Sequence, residues 1–139
     1  MAIYLDTGNL SHIETFLKMG IIRGVTTNPT ILLREGVTGG IEGIRNRTKQ
    51  IAEIIKPLPL SVEVTSNDRK EMLEQSERFC EWADNINVKI TIHGPQGETE
   101  NLEVINELEK KKNIRVNVTA MMSAQQCFLA AMAGATWVS

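Results

Sequence analysis

Two kinds of apolar pattern alternate along this chain. Short runs with apolar residues at every second position occur six times: Ile3–Asp6, Val25–Asn28, Leu60–Val64, Ile86–Ile90, Val116–Thr119 and Thr136–Ser139. Side chains alternate faces along a strand. Each run therefore reads as a strand, with Ile3 and Leu5, Val62 and Val64, Val88 and Ile90, Val116 and Val118 sharing one face. Between these runs, apolar residues recur every three or four positions. The sets are Leu10, Ile13, Phe16, Leu17; Ile41, Ile44, Ile51, Ile54, Ile55; Met72, Leu73, Ser76, Phe79, Cys80, Ala83; and Leu102, Ile105, Leu108. That spacing predicts helices, and the Ala-rich Gln125–Ala133 reads as one more. Asp68 with Glu71 and Ser123 with Gln126 have capping-box spacing at helix starts, and Gly134 stops the last helix.

An antiparallel sheet with one wet face would account for the alternating strands, but it needs no helical crossovers, whereas parallel strands do. The alternation therefore predicts a parallel β/α architecture. In an open doubly wound sheet the strands are apolar on both faces. Here the second face is mixed (Tyr4, Thr26, Ser61, Asn87, Asn117, Trp137), as in a barrel lumen. Asp6-Thr7-Gly8-Asn9 after the first strand is not a dinucleotide-binding fingerprint. The expected fold is α/β, a (β/α)8 TIM-barrel type.

The chain has 139 residues, read as one domain over 1–139, whereas such barrels typically take about 250. Five complete β/α units and the beginning of a sixth strand are visible, so the barrel is incomplete. An unpaired parallel edge is unstable alone. The expectation is a portion of a longer protein, or closure by association into a homo-oligomer.

Composition bounds the function. The chain is 42% apolar and 23% charged with a net charge of −2, values of an ordinary globular protein that give no reason to expect nucleic acid or a membrane surface as partner. Lys110-Lys111-Lys112 reads as the solvated end of a helix, where positive charge suits the dipole. No apolar run reaches the roughly 20 residues of a bilayer span, and no signal-peptide pattern is read. Cys80 and Cys127 fall on apolar helical faces, which suggests buried thiols in a reducing, cytoplasmic setting. His12 and His93 are isolated, and no metal site is expected.

The polar ends of the strands carry the chemistry. Asp6, Asn28, Glu63, Lys89, Thr119 and Ser139 each stand at or near the C-terminal end of a strand, opposite its apolar face. In a barrel an amine, two carboxylates, an amide and two hydroxyls would then converge at the catalytic mouth. Desolvation in a lumen favours a free amine over an ammonium, and a free amine can attack a ketone to form a Schiff base. The protonated imine then accepts the electrons of a breaking carbon–carbon bond. Asp6 and Glu63 can act as the acid/base pair that such a cycle needs. The plainer reading is a buried lysine neutralised by Asp6 or Glu63 as a structural ion pair.

The segments Tyr4-Leu5-Asp6-Thr7, Gly24-Val25-Thr26-Thr27-Asn28-Pro29-Thr30, Ser61-Val62-Glu63-Val64, Asn87-Val88-Lys89-Ile90, Asn117-Val118-Thr119 and Ala133–Ser139 resemble the transaldolase family. The match is best to its small single-barrel branch, which also includes fructose-6-phosphate aldolases. The resemblance runs from the first strand to the last residue. It implies an eight-stranded β/α barrel, a class I mechanism through a lysine Schiff base, no cofactor, and a place in pentose phosphate carbohydrate metabolism.

By position, the resemblance makes Lys89 the Schiff-base lysine and Asp6 the carboxylate acting on the hydroxyl of the breaking bond. It makes Glu63 and Thr119 the pair that places the catalytic water. Asn28, with Thr27 in the same turn, and Ser139 become substrate-binding residues. The aldolases resemble a pattern with Gln at position 63 and a small apolar residue at 139, so this chain looks more like a transaldolase. Such an enzyme moves a dihydroxyacetone unit from sedoheptulose 7-phosphate or fructose 6-phosphate to glyceraldehyde 3-phosphate or erythrose 4-phosphate. The family continues past this serine with an aromatic residue and an arginine, so the phosphate-binding residues are expected beyond Ser139. Met121-Met122 stands where the family has bulkier residues and reads as packing. Two alternatives stay open: a Schiff-base aldolase of the fructose-6-phosphate type, and a non-catalytic truncated relative serving as an interaction module.

Overall fold

A computed structural model describes residues 2–139. In chain order the elements are β1 (Tyr4–Asp6), α1 (Leu10–Lys18), β2 (Gly24–Thr26), α2 (Pro29–Arg34), α3 (Gly40–Ile55), β3 (Leu60–Glu63), α4 (Arg69–Cys80), β4 (Ile86–Thr91), α5 (Asn101–Lys110), β5 (Val116–Thr119), α6 (Ala124–Ala133) and β6 (Trp137–Val138). The described pairings β1–β2, β2–β3, β4–β5 and β5–β6 are all parallel. This is the expected α/β fold, an incomplete barrel of the (β/α)8 type.

Only β5 has the expected bounds, and at two strands the shift leaves the expected site residue outside the strand. The second strand stops at Thr26, because Asn28 turns out of the sheet to cap α2. The helix α2 itself was not predicted. Its 6 residues are fewer than two turns, too few to show a 3.6-residue period, although Asn followed by Pro is a local start signal. The last strand is only Trp137–Val138, which leaves Ser139 just past its end.

The chain forms two compact units, one running to Glu63 and including Glu81–Ile86, the other comprising Val64–Cys80 and Asn87–Ser139. In the first, α1 packs on α3, and Ile13, Val25, Leu32, Ile51, Ile55, Leu60 and Val62 are buried. Asn9 starts α1: its side chain accepts the His12 N–H at 3.0 Å. The buried Asn85 amide donates to the carbonyls of Ala52 at 3.0 Å and Leu58 at 2.8 Å. It thereby satisfies two carbonyls left over where α3 ends and β3 begins.

In the second unit, α5 packs against both α4 and α6, burying Met72 and Phe79 of α4 and Val104, Ile105 and Leu108 of α5. Asp68 caps α4 as expected, accepting from Glu71 N at 3.0 Å. The Glu71 carboxylate does not close the box; it accepts from the Ser66 hydroxyl at 2.6 Å. Ser123 caps α6 through Gln126 N at 3.2 Å. Gly134 ends that helix at φ 108°, a backbone state that side chains with a Cβ resist. One oxygen of Glu109 on α5 accepts from Val116 N at 2.7 Å, Thr136 N at 2.8 Å and the Thr136 hydroxyl at 2.7 Å. A single carboxylate thus aligns the starts of β5 and β6.

Both cysteines are free. Burial pushes the Cys80 thiol up to about 11 from its ordinary 9.0, against a smaller opposing pull from Arg115. At pH 8 only about a thousandth of such a thiol is thiolate, the reactive form. Iodoacetamide at pH 8 is therefore expected to spare Cys80 in the native protein and to label it in urea, read by mass spectrometry. Fast native labelling would contradict this burial. The folded state disfavours the thiolate, so this contribution to stability is complete below pH 9 and is lost as pH rises through about 11.

Candidate active site

In the first unit, β1 and β2 pair with Asp6 opposite Thr26. The Thr26 hydroxyl donates to Asp6 Oδ1 at 2.6 Å, which orients the carboxylate while leaving the residue exposed. Thr26 and Asp6 each end their strand, and parallel pairing in this register puts both side chains on one face. Tyr4 lies on that face as well, against Gly24. A Cβ at position 24 would collide with the Tyr4 ring and come within 2.8 Å of the Pro59 carbonyl, so this close approach requires glycine.

Thr27 is 1% exposed. Its N–H donates to the Ser61 carbonyl at 3.0 Å, and its hydroxyl reaches the same oxygen at 3.4 Å. Thr27 is thus tied to β3 by backbone and side chain together. Asn28 is half-buried, and its Oδ1 accepts from Ile31 N at 2.8 Å as the cap of α2. The cap fixes which way the amide faces, since only the oxygen can accept. The Nδ2 donors are then the part of the group suited to holding an external hydroxyl. Glu63 ends β3 and is half-buried.

In the second unit, Lys89 sits in the middle of β4 and is 6% exposed. Parallel pairing sets Lys89 opposite Asn117 and Thr91 opposite Thr119, and Asn117 in turn opposite Trp137. The Ser139 hydroxyl donates to Asn117 Oδ1 at 2.7 Å, while Ser139 N donates to the Val118 carbonyl at 2.9 Å. Lys89, Asn117, Thr119 and Ser139 therefore form one polar cluster across three neighbouring strands. Such a cluster can hold a small, hydroxyl-rich carbonyl compound against an amine.

Asn117 was placed on the polar face by its alternation but given no role. The structure makes it the residue that stands next to Lys89 and binds Ser139. Its signal was the same period-two pattern that marked Thr119. Among the described residues, no three His, Cys, Asp or Glu side chains are grouped to hold a metal ion. No helix among the described residues is long and apolar enough to cross a membrane.

Fold and site together define a β/α-barrel protein with a buried strand lysine beside an amide and hydroxyls. Residues 3–139 match the family model described as transaldolase/fructose-6-phosphate aldolase, and the chain belongs to that family. Over 139 residues it is 38% identical to a "probable transaldolase" of Dehalococcoides mccartyi and 40% identical to one of Lactiplantibacillus plantarum. These alignments take in 100% of this chain but 60% and 58% of the respective relatives, so the chain spans about three fifths of their length. Among solved structures, a candidate phosphonomutase from Burkholderia cenocepacia J2315 superposes with a TM-score of 0.65 at 11% identity. It covers 99% of this chain and 68% of that one, a likeness that concerns the fold alone.

Proposed function

We propose that this chain carries the Schiff-base machinery of a transaldolase. Such an enzyme transfers a dihydroxyacetone unit from a ketose phosphate to an aldose phosphate, in cytoplasmic pentose phosphate metabolism and without a cofactor. The observation that carries the reading is the burial of Lys89 beside Asn117, itself bound by Ser139, in a chain of this family.

In this reading the Lys89 amine attacks C2 of the ketose, and loss of the carbonyl oxygen as water leaves a protonated imine. Asp6 takes the proton from the C4 hydroxyl. The C3–C4 bond breaks, its electron pair moves into the imine, and the aldose phosphate departs. The enamine that remains attacks the aldehyde carbon of the acceptor, whose oxygen takes back a proton. Hydrolysis then frees Lys89. Glu63 and Thr119 place the water and move protons at the imine carbon, and Asn28, Thr27 and Ser139 hold substrate hydroxyls.

Glu63 separates transfer from simple cleavage. Glu63→Gln keeps the shape but removes an ionisable proton carrier, a change worth about 10²–10⁴-fold in turnover. The variant is expected to turn over more slowly and to release more free dihydroxyacetone per transfer event. A coupled assay of both products checks this. An unchanged rate and product ratio would make Glu63 structural and favour the aldolase reading.

A further inference from the structure

Asn87 precedes Lys89 by two residues on β4 and so lies on the same face, about 6.5–7 Å further from the strand's C-terminal end. It is 0% exposed, and neither its Nδ2 nor its Oδ1 has a hydrogen-bond partner among the described residues. The residue just before β5 is Arg115, whose carbonyl accepts Val88 N at 3.0 Å. The Arg115 guanidinium lies over the Trp137 ring at 5.9 Å.

A buried polar group left unpaired gives up its hydration with nothing in return, which destabilises the fold. A leucine of similar size at this position would avoid that cost. A residue that breaks a local packing rule points to function, and buried amides of this kind are normally met by ordered water.

We propose that Asn87 anchors an ordered water beneath Lys89 and through it positions the Lys89 amine. The proposal rests on the reading of Lys89 as the nucleophile. Asn87 is a positioning residue and touches no substrate. The water donates to Asn87 Oδ1 and accepts one N–H of the amine. That holds the flexible lysine stem and turns the nitrogen lone pair towards the strand C-termini, where a ketone would enter.

The test compares the complete wild-type protein with Asn87→Leu and Asn87→Ser. It measures the rate of borohydride trapping with dihydroxyacetone, the dependence of that rate on ketone concentration, and the melting temperature. Asn87→Leu is expected to melt at or above the wild type. It should trap about tenfold or more slowly at saturation, with half-saturation little changed, since misplacing a reacting group acts on the chemical step. Asn87→Ser, whose hydroxyl can hold water, should recover most of the rate. A high-resolution crystal structure of the wild type should show water within about 3.2 Å of the Asn87 amide.

Wild-type trapping by Asn87→Leu, or a dry Asn87 amide, overturns the proposal. If Asn87→Leu does not fold, the density around Asn87 decides. A wild type that forms no Lys89 adduct sinks the Lys89 chemistry and this proposal with it. That result is distinct from normal wild-type trapping beside an unimpaired Asn87→Leu.

Discussion

Borohydride reduction of the complete protein in the presence of dihydroxyacetone or fructose 6-phosphate is expected to leave the ketone's carbon skeleton on Lys89 and on no other residue. Lys89 is the lysine that the fold holds 6% exposed inside a strand, next to the Asn117–Ser139 pair. Lysines such as Lys49, Lys70 and Lys111 lie on helices or at helix ends and are exposed, where the ammonium is well solvated. Peptide mapping by mass spectrometry reads the result. Lys89→Ala and Lys89→Arg should both lose turnover by roughly 10⁴-fold or more, as removal of a covalent nucleophile does. Arginine fails because the guanidinium stays charged and cannot attack a carbonyl. An adduct that persists in Lys89→Ala, or none in the folded complete protein, removes the Schiff-base assignment.

The second large effect concerns association. Residues 1–139 expressed by themselves are expected to self-associate through α6 and β6. Phe128 is 64% exposed, Leu129 48%, Met132 68% and Val138 46%, which gathers four large apolar side chains on neighbouring elements. Each is already partly covered, so covering the rest contributes less than the about 1.5–3 kcal/mol of full burial, yet the four together are substantial against a typical total stability of about 5–15 kcal/mol. Sedimentation across a concentration series should show mass rising with concentration. Phe128→Glu combined with Met132→Glu should hold the species at its smallest mass. A monomer that melts cooperatively at low micromolar concentration would show that this face is stable in water.

The sequence carried much of this on its own. Period-two runs located all six strands, 3.6-residue runs located α1, α3, α4 and α5, the Ala-rich stretch located α6, α2 was missed, and capping residues at Asp68 and Ser123 marked two helix starts that the structure bears out. Those signals are local: each depends on side chains a few residues apart, so one strand or helix suffices to show them. The polar face that holds Lys89, Thr119 and Ser139 was legible for the same reason. The Thr26-Thr27-Asn28-Pro29 turn and the strand around Lys89 also pointed to the family that the comparison with known proteins bears out.

Other features needed strands and helices brought side by side. Alternation tells which face a residue takes but not its height relative to the next strand, because register is set by packing between elements. Only tertiary structure could therefore put Thr26 against Asp6, or set Asn117 between Lys89 and Ser139. Asn28 looked like a strand residue until α2 formed and drew its oxygen into a cap. Glu109 looked like one more helix surface charge, yet it collects three donors from Val116 at the start of β5 and Thr136 just before β6, 7 and 27 residues further on. Asn87 read as one polar position among several along the lumen face. Its complete burial, with no side-chain partner among the described residues, follows from how its neighbours pack around it, a quantity that no single stretch of sequence contains.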